Sequence, residues 1–171
     1  LSGKTVARVW IEDYDRIQPN PDDIDNQGTA FDLARKRTTT YKRFGMTGIE
    51  ASPGFEVTDM NWIASSPHEA PPTRGILSIY NRGDRRRWYW RCPCCNETFQ
   101  PTFDLLKYPD YGDNLERAEQ VYMECPSGNG CVIEPSQKNE LNRGGKWLKE
   151  GEVWEPDGSV SGKGKRSDIA S

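Results

Sequence analysis

Five cysteines fall into two groups, Cys92-Pro93-Cys94-Cys95 and Cys125-Pro126-Ser127-Gly128-Asn129-Gly130-Cys131. The C-x₂-C spacing of Cys92 and Cys95 lets two thiolates bite one cation from a tight knuckle. Cys125 and Cys131 form a looser C-x₅-C pair, whose Ser-Gly-Asn-Gly stretch can loop out. Both groups begin Cys-Pro, so they read as related halves of a ribbon. Four thiolates in a tetrahedron suit structural Zn²⁺ and leave no open position for catalysis. Such a site contributes ~10 kcal/mol or more of apparent binding free energy to folding. The expected ligands are Cys92, Cys95, Cys125 and Cys131. Cys94 is left over, able to compete with Cys95 only through the less usual C-x-C bite. Disulfides and free thiols are the alternatives, but clustered cysteines in a soluble intracellular chain favour metal. A redox pair of Cys92 and Cys95 would leave the second group unexplained.

The second constraint lies near the start, in Val6-Ala7-Arg8-Val9-Trp10-Ile11-Glu12-Asp13-Tyr14-Asp15-Arg16. A largely apolar, β-branched run ends in two adjacent carboxylates, with a third two residues on. Buried parallel strands read as near-continuous hydrophobic runs, and ligands of open α/β sheets bind at their carboxyl ends. That is the layout of a Walker B strand in a nucleotide hydrolase. There, one carboxylate serves Mg²⁺ and its neighbour orients the attacking water. The plainer alternative is a strand that ends in a charged loop.

The chain has 171 residues, one domain or parts of two, with 34% hydrophobic and 29% charged residues. Six Trp, seven Tyr and five Phe can supply a core despite this polarity. A formal net charge of −3 gives no global pull toward nucleic acid, so such contacts must be local. No apolar run reaches transmembrane length, and no signal peptide is visible. A Leu start directly before a strand and a Gly/Lys/Ser-rich tail suggest a piece of a longer protein. Gly3-Lys4-Thr5 looks like the tail of a phosphate-binding loop, but no glycine precedes it at the required spacing and a strand, not a helix, follows.

Pro19 to Gly28 reads as an acidic loop. Thr29 can N-cap a helix with Phe31, Ala34 and Thr38 on one face. Arg35, Lys36, Arg37, Lys42 and Arg43 follow, as a solvated face or a contact for DNA or another subunit. Gly45 to Ala51 is expected to be a short strand, stopped by the Ser52-Pro53-Gly54 turn. Residues 58 to 75 are loop-rich and hold the single histidine, His68, to which no chemistry is assigned. Gly75 to Tyr80 reads as a strand turning at Asn81-Arg82-Gly83-Asp84 into a returning strand, Arg85 to Cys92. Alternation puts Trp88, Trp90 and Cys92 on one face and Arg87, Tyr89 and Arg91 on the other. Arginines interleaved with an aromatic suit a polyanion backbone, so Arg85, Arg87 and Arg91 are weak DNA-binding candidates beside an ordinary amphipathic hairpin. Val121 to Glu124 leads as a strand into the second knuckle. Pro135 to Asn142 suits a short helix ended by Gly144-Gly145. Lys146-Trp147-Leu148 and Glu152-Val153-Trp154 form a candidate hairpin, and the rest, from Pro156, reads as linker.

In this order, the strand ending Glu12-Asp13-Tyr14-Asp15-Arg16, Phe31 to Thr39, the strand ending Ala51-Ser52-Pro53-Gly54 and the Cys-Pro-x-Cys knuckle resemble the lambda-type phage terminase large subunit. The resemblance runs from about Val6 to Trp154. It implies an α/β fold, part of a P-loop NTPase-type parallel sheet from Walker B onward, followed by a small β-rich zinc-ribbon-like region. The implied division is residues 1–63 as the second half of a packaging ATPase, 64–155 as the zinc-knuckle region and 156–171 as a linker toward a nuclease domain. By position, Glu12 matches the Mg²⁺-associated acid, Asp13 the catalytic acid and Ser52 the motif coupling hydrolysis to DNA translocation. Such strands usually end Asp-Glu, and the Glu-Asp order here leaves the two roles open to exchange. The implied cofactors are structural Zn²⁺, with Mg²⁺ and ATP in the full-length protein. The implied partners are duplex DNA, the terminase small subunit, the portal of a procapsid and further copies of the chain, in the host cell cytoplasm and with no membrane. The resemblance also implies that the parent is an ATPase and endonuclease, and that these residues alone are inactive, lacking the phosphate loop and the nuclease. A different class of reading, a stand-alone zinc-ribbon module binding nucleic acid or protein, needs no parallel pairing of the Glu12-Asp13 strand with residues 45 to 51.

Overall fold

The computed structural model describes residues 4–17 and 28–164. Most of the acidic loop after Ile17 and the last seven residues of the tail lie outside the described residues. The chain divides into two compact units, 1–83 and 84–171. The change of unit falls at Gly83.

The first unit is built on a parallel pair. Strand β1 (Arg8–Ile11) runs alongside β2 (Met46–Ile49), with Arg8 opposite Met46 and Ile11 opposite Ile49. Parallel neighbours need a crossover connection, usually helical, and α1 (Ala30–Thr38) supplies it. Its start is set by Thr29, whose Oγ1 accepts the Asp32 N–H at 2.9 Å, the N-cap read from the sequence. Phe31 and Thr38 are its buried positions, and Thr38 Oγ1 lies 3.2 Å from Thr47 Oγ1 of β2. The opposite face of the pair stays open, with Trp10 59% and Met46 49% exposed. Trp10 lies across its pairing partner Gly48, where any Cβ would overlap the indole.

Gly75 to Tyr80, expected as a strand, is helical: α2 spans Ile76–Arg82. Ile76, Leu77, Ile79 and Tyr80 fit a helix as well as a strand in so short a run, and periodicity alone does not separate the two. The tertiary setting does. Asn81 Oδ1 accepts from Ala70 N–H at 3.1 Å while Asn81 Nδ2 donates to Ala70 O at 2.8 Å. Tyr80 Oη donates to His68 O at 2.7 Å. One helix face thereby clamps the preceding loop, and His68 is buried in it.

The second unit is made of small antiparallel sheets. Strand β3 (Arg87–Arg91) is central, between β4 (Thr98–Phe99) and β8 (Lys146–Leu148). A second sheet orders β5 (Leu106–Lys107), β6 (Tyr122–Glu124) and β7 (Val132–Ile133), with α3 (Asn114–Glu119) between the first two in sequence. A 3-10 turn at Pro135–Gln137 leads into α4 (Lys138–Gly144), the helix expected there. Two expected hairpins are corrected. Strand β3 does not pair with residues 75–80, and β8 does not pair with β9 (Val153–Trp154) but with β3. Strand β9 instead pairs with β10 (Val160–Ser161), so the expected linker is ordered at least that far.

The core of this unit joins Trp90, Phe99, Met123 and Ile133 to three buried cysteines, Cys92, Cys125 and Cys131. Trp90 meets Phe99 edge-on at 6.4 Å and donates its indole N–H to Asn142 Oδ1 at 3.0 Å. Arg85 and Glu150, both buried, pair at 3.4 Å. Removing one partner of a buried ion pair strands the other charge, at a cost of about 3–5 kcal/mol. Glu150→Ala should therefore lower unit stability by about that much in urea unfolding followed by Trp fluorescence. Replacing both partners, Arg85→Met with Glu150→Leu, should recover most of the loss.

Candidate functional site

The carboxyl ends of β1 and β2 come together because the strands are parallel and in register. Glu12 and Asp13 lie just past Ile11, and Ser52 lies three residues past Ile49. All three are exposed. Pairing continues beyond the strands, as Glu50 N–H donates to Ile11 O at 3.0 Å and Tyr14 N–H to Glu50 O at 3.0 Å. Asp13 adopts φ 49° and ψ 45°, a left-handed conformation that few non-glycine residues other than Asn and Asp adopt. Its N–H donates to Glu50 Oε1 at 3.3 Å. The chain then turns sharply, so that Tyr14 and Asp15 are buried while the two carboxylates before them face solvent. Two adjacent solvent-facing acids thus lie past the carboxyl end of a parallel strand, the end at which open α/β sheets bind ligands.

Two further carboxylates, given no role from the sequence, join this edge. Glu50 meets Asp13 as described. Asp15 accepts the Gly54 N–H at Oδ2, 2.9 Å, and the Ile76 N–H at Oδ1, 2.7 Å. The sequence signal for Asp15 was its place two residues after Asp13; its two partners, 39 and 61 positions away, carry no local signal.

The second cluster is sulfur. Cys92, Cys95 and Cys125 bring their Sγ atoms within 4.8 Å of one another. The first knuckle closes by Cys92 N–H to Glu97 O at 2.8 Å and Asn96 N–H to Cys92 O at 2.9 Å, with Asn96 at φ 65°. The second closes by Cys125 N–H to Cys131 O at 3.0 Å. All five thiols are free, and the 3.7 Å between Cys95 Sγ and Cys125 Sγ is well beyond a disulfide bond. A Zn–S bond of about 2.3 Å places sulfurs of a tetrahedral site about 3.8 Å apart, close to that separation. Ser127 Oγ lies 3.4 Å from both sulfurs. The hydrogen bond of Cys95 with the Ser127 side chain, and then that with the Glu97 backbone, lower its thiol to about 6. Burial pushes Cys125 up. Cys131 is pushed up too, by the neighbouring Cys94 thiol first, then by burial and by Cys95 and Cys92. Cys131, the fourth expected ligand, is buried but is not one of these three grouped sulfurs, and Cys94 is exposed.

A family model described as "Phage terminase large subunit gpA, ATPase domain" matches residues 1–147. The chain belongs to that family. No curated protein and no solved structure matches it. Among the described residues of this terminase chain, no helix is long and apolar enough to cross a membrane.

The weak DNA-binding candidates of the terminase chain fare differently from its carboxylates. Arg85 is buried against Glu150. Arg91 donates to Pro156 O at 3.1 Å, Trp154 O at 3.2 Å and Glu155 O at 2.5 Å, and stacks over the Trp154 ring at 4.3 Å. Both guanidiniums are taken up by contacts within the fold, Arg85 buried and Arg91 half-buried. Arg87 is half-buried, and its neighbour Tyr89 accepts a hydrogen bond from Gln100 Nε2 at 3.0 Å. The β3 face read as basic therefore packs under the β9–β10 segment at Arg91, because long side chains bury their stems while their charged heads bond to carbonyls.

Thiolate is the reactive form of cysteine, and a lowered group ionises as pH rises through its folded value. In reduced, metal-free protein, iodoacetamide labelling of Cys95, resolved by peptide mapping, should rise through about pH 6. Ser127→Ala, which removes the first cause of the lowering, should move that midpoint upward.

Proposed function

We propose that this chain carries the hydrolysis-side half of a DNA-packaging ATPase, in which turnover of ATP drives duplex DNA into a procapsid. The observation that carries the reading is the parallel pairing of β1 with β2. It puts Glu12 and Asp13 at the carboxyl end of one strand and Ser52 past the end of its neighbour. The exposed open face of the pair fits a further layer packed over it, since parallel sheets are covered on both faces. In this reading residues 1–63 belong to the P-loop-type ATPase, 64–155 to a β-rich zinc-ribbon-like region and 156–171 to a link toward a nuclease domain of the parent protein.

Glu12 would hold Mg²⁺, whose chemistry is to neutralise charge on the bound phosphates. Asp13 would hold the attacking water and accept its proton. The reversed Glu-Asp order keeps an exchange of the two roles open. Ser52, at the head of the next loop, would respond to the phosphate and pass hydrolysis on to DNA movement. Cys92, Cys95, Cys125 and Cys131 would hold one structural Zn²⁺, with the separation of Cys95 and Cys125 supporting the fit. Metal would bind these sulfurs as thiolates, including the two that burial and neighbouring thiols keep protonated in its absence. The expected partners are duplex DNA, the terminase small subunit, the portal of the procapsid and further copies of the large subunit, in the host cytoplasm. DNA cleavage is assigned to the nuclease domain and not to these residues.

A stand-alone zinc-ribbon module without catalysis would need the second unit alone; the family match over residues 1–147 and the β1–β2 pair both weigh toward the motor. In the full-length large subunit, Asp13→Asn should lower ATP turnover by about 10²–10⁴-fold while metal content stays unchanged. Turnover within threefold of the unsubstituted protein would refute the Walker B role. Elemental analysis should find one zinc per chain, lost in Cys125→Ser together with the cooperative melting of the second unit. Unchanged metal content and melting in that variant would remove the zinc assignment.

A further inference from the structure

The third carboxylate of the strand end is not surplus. Asp15 is 7% exposed and carries no partner cation among the described contacts; both of its oxygens are taken by backbone N–H groups. Oδ2 accepts from Gly54, two residues beyond Ser52, and Oδ1 accepts from Ile76, the first residue of α2. The side chain therefore joins three segments that are remote in sequence: the end of β1, the loop after β2 and the start of α2. Hydrogen bonds to a charged acceptor are about twice as strong as neutral ones, and Asp15 alone fills both positions. The space around it is closed. Gly75 has φ 72°, and a Cβ there would overlap the Asp15 carboxyl group and crowd the Phe55 ring. The segments it ties, Gly54-Phe55 on one side and Ser78 of α2 on the other, are walls of one cleft of about 850 Å³ that Arg74 also lines.

We propose that Asp15 is a positioning residue of the nucleotide site: it latches the Ser52 loop and the start of α2 to the strand end that carries Glu12 and Asp13. Events at the two exposed carboxylates then reach the Ser52 loop and α2 through one buried side chain rather than through the β1–β2 ladder alone. The proposal rests on the nucleotide reading of Glu12, Asp13 and Ser52. Asp15 itself is too buried to touch a ligand, so it acts through the loop it holds.

The test uses the full-length large subunit and two substitutions that disturb the latch differently. Asp15→Asn keeps the shape but replaces one acceptor with a donor facing an N–H. Gly75→Ala keeps the carboxylate but pushes it out of place. Each should lower kcat for ATP about tenfold with KM held within about twofold. The double variant should be no worse than the single ones, because residues sharing one interaction are not additive. Hydrogen exchange should show loss of protection at residues 52–56 and 75–78, with β1 and β2 still protected. If Gly75→Ala does not fold, Asp15→Asn and the exchange pattern decide. Unaltered kcat in Asp15→Asn beside an inactive Asp13→Asn overturns the latch alone. So do unaltered exchange at Gly54 and Ile76, or losses that multiply in the double variant. Full turnover in Asp13→Asn overturns the nucleotide reading beneath it.

Discussion

The parallel alignment of β1 and β2 is the constraint on which the first unit depends. Two strands with 34 residues between the end of one, Ile11, and the start of the other, Met46, meet in register, and only a crossover through α1 allows that. Once they are parallel, their carboxyl ends must lie together, and the residues beyond those ends share one edge. Glu12, Asp13, Glu50, Ser52 and the buried Asp15 gather there. An antiparallel pairing of the same residues would have sent the acids and the Ser-Pro-Gly turn to opposite edges. The sharp turn at Asp13 then sorts the acidic cluster by depth. Two carboxylates stay in solvent, where they can meet a ligand, and one goes inside, where it must be hydrogen-bonded.

The second unit meets a different physical difficulty. Several of its strands are two residues long, and such short ladders have little stability of their own. Its centre is instead a cluster in which aromatic side chains and thiols share one core. Cysteine packs as a small hydrophobe, so the three buried thiols serve the core whether or not they ligate a cation. Around this centre, single long-range contacts do work that longer ladders do elsewhere. Trp90 is tied to α4 through Asn142, and Arg91 gathers three carbonyls of residues 154–156. Lys146 reaches Gly158 O and the Trp154 ring.

What was legible before the structure was local. Thr29 as a cap, the helix after Pro135 with Gly145 at its end, the strand before the Ser-Pro-Gly turn and the two Cys-Pro knuckles depend on residues a few positions apart. Partner choice was not legible. Residues 76–80 suit helix and strand alike, and the contacts of Tyr80 and Asn81 with His68 and Ala70 decide between them. Residues 146–148 and 153–154 look like two arms of a hairpin, yet each finds its partner elsewhere, in β3 and β10. The arginines of β3 read as a basic face because alternation reports which residues share a face and not what covers it.

The sequence by itself determined which chemistry this protein can carry. It placed adjacent carboxylates at the end of an apolar run and thiols at ligand spacing, in the order of the terminase large subunit. Those are matters of residue type and short spacing, set by the covalent chain. Only the tertiary structure decided the role of each group within its type. It exposed Glu12 and Asp13 but buried Asp15 against Gly54 and Ile76, grouped Cys92, Cys95 and Cys125 while leaving Cys94 and Cys131 out of that group, buried Arg85 against Glu150 and tied Arg91 to the carbonyls of residues 154–156. Depth and partnership arise from contacts between residues tens of positions apart, and no local pattern encodes them.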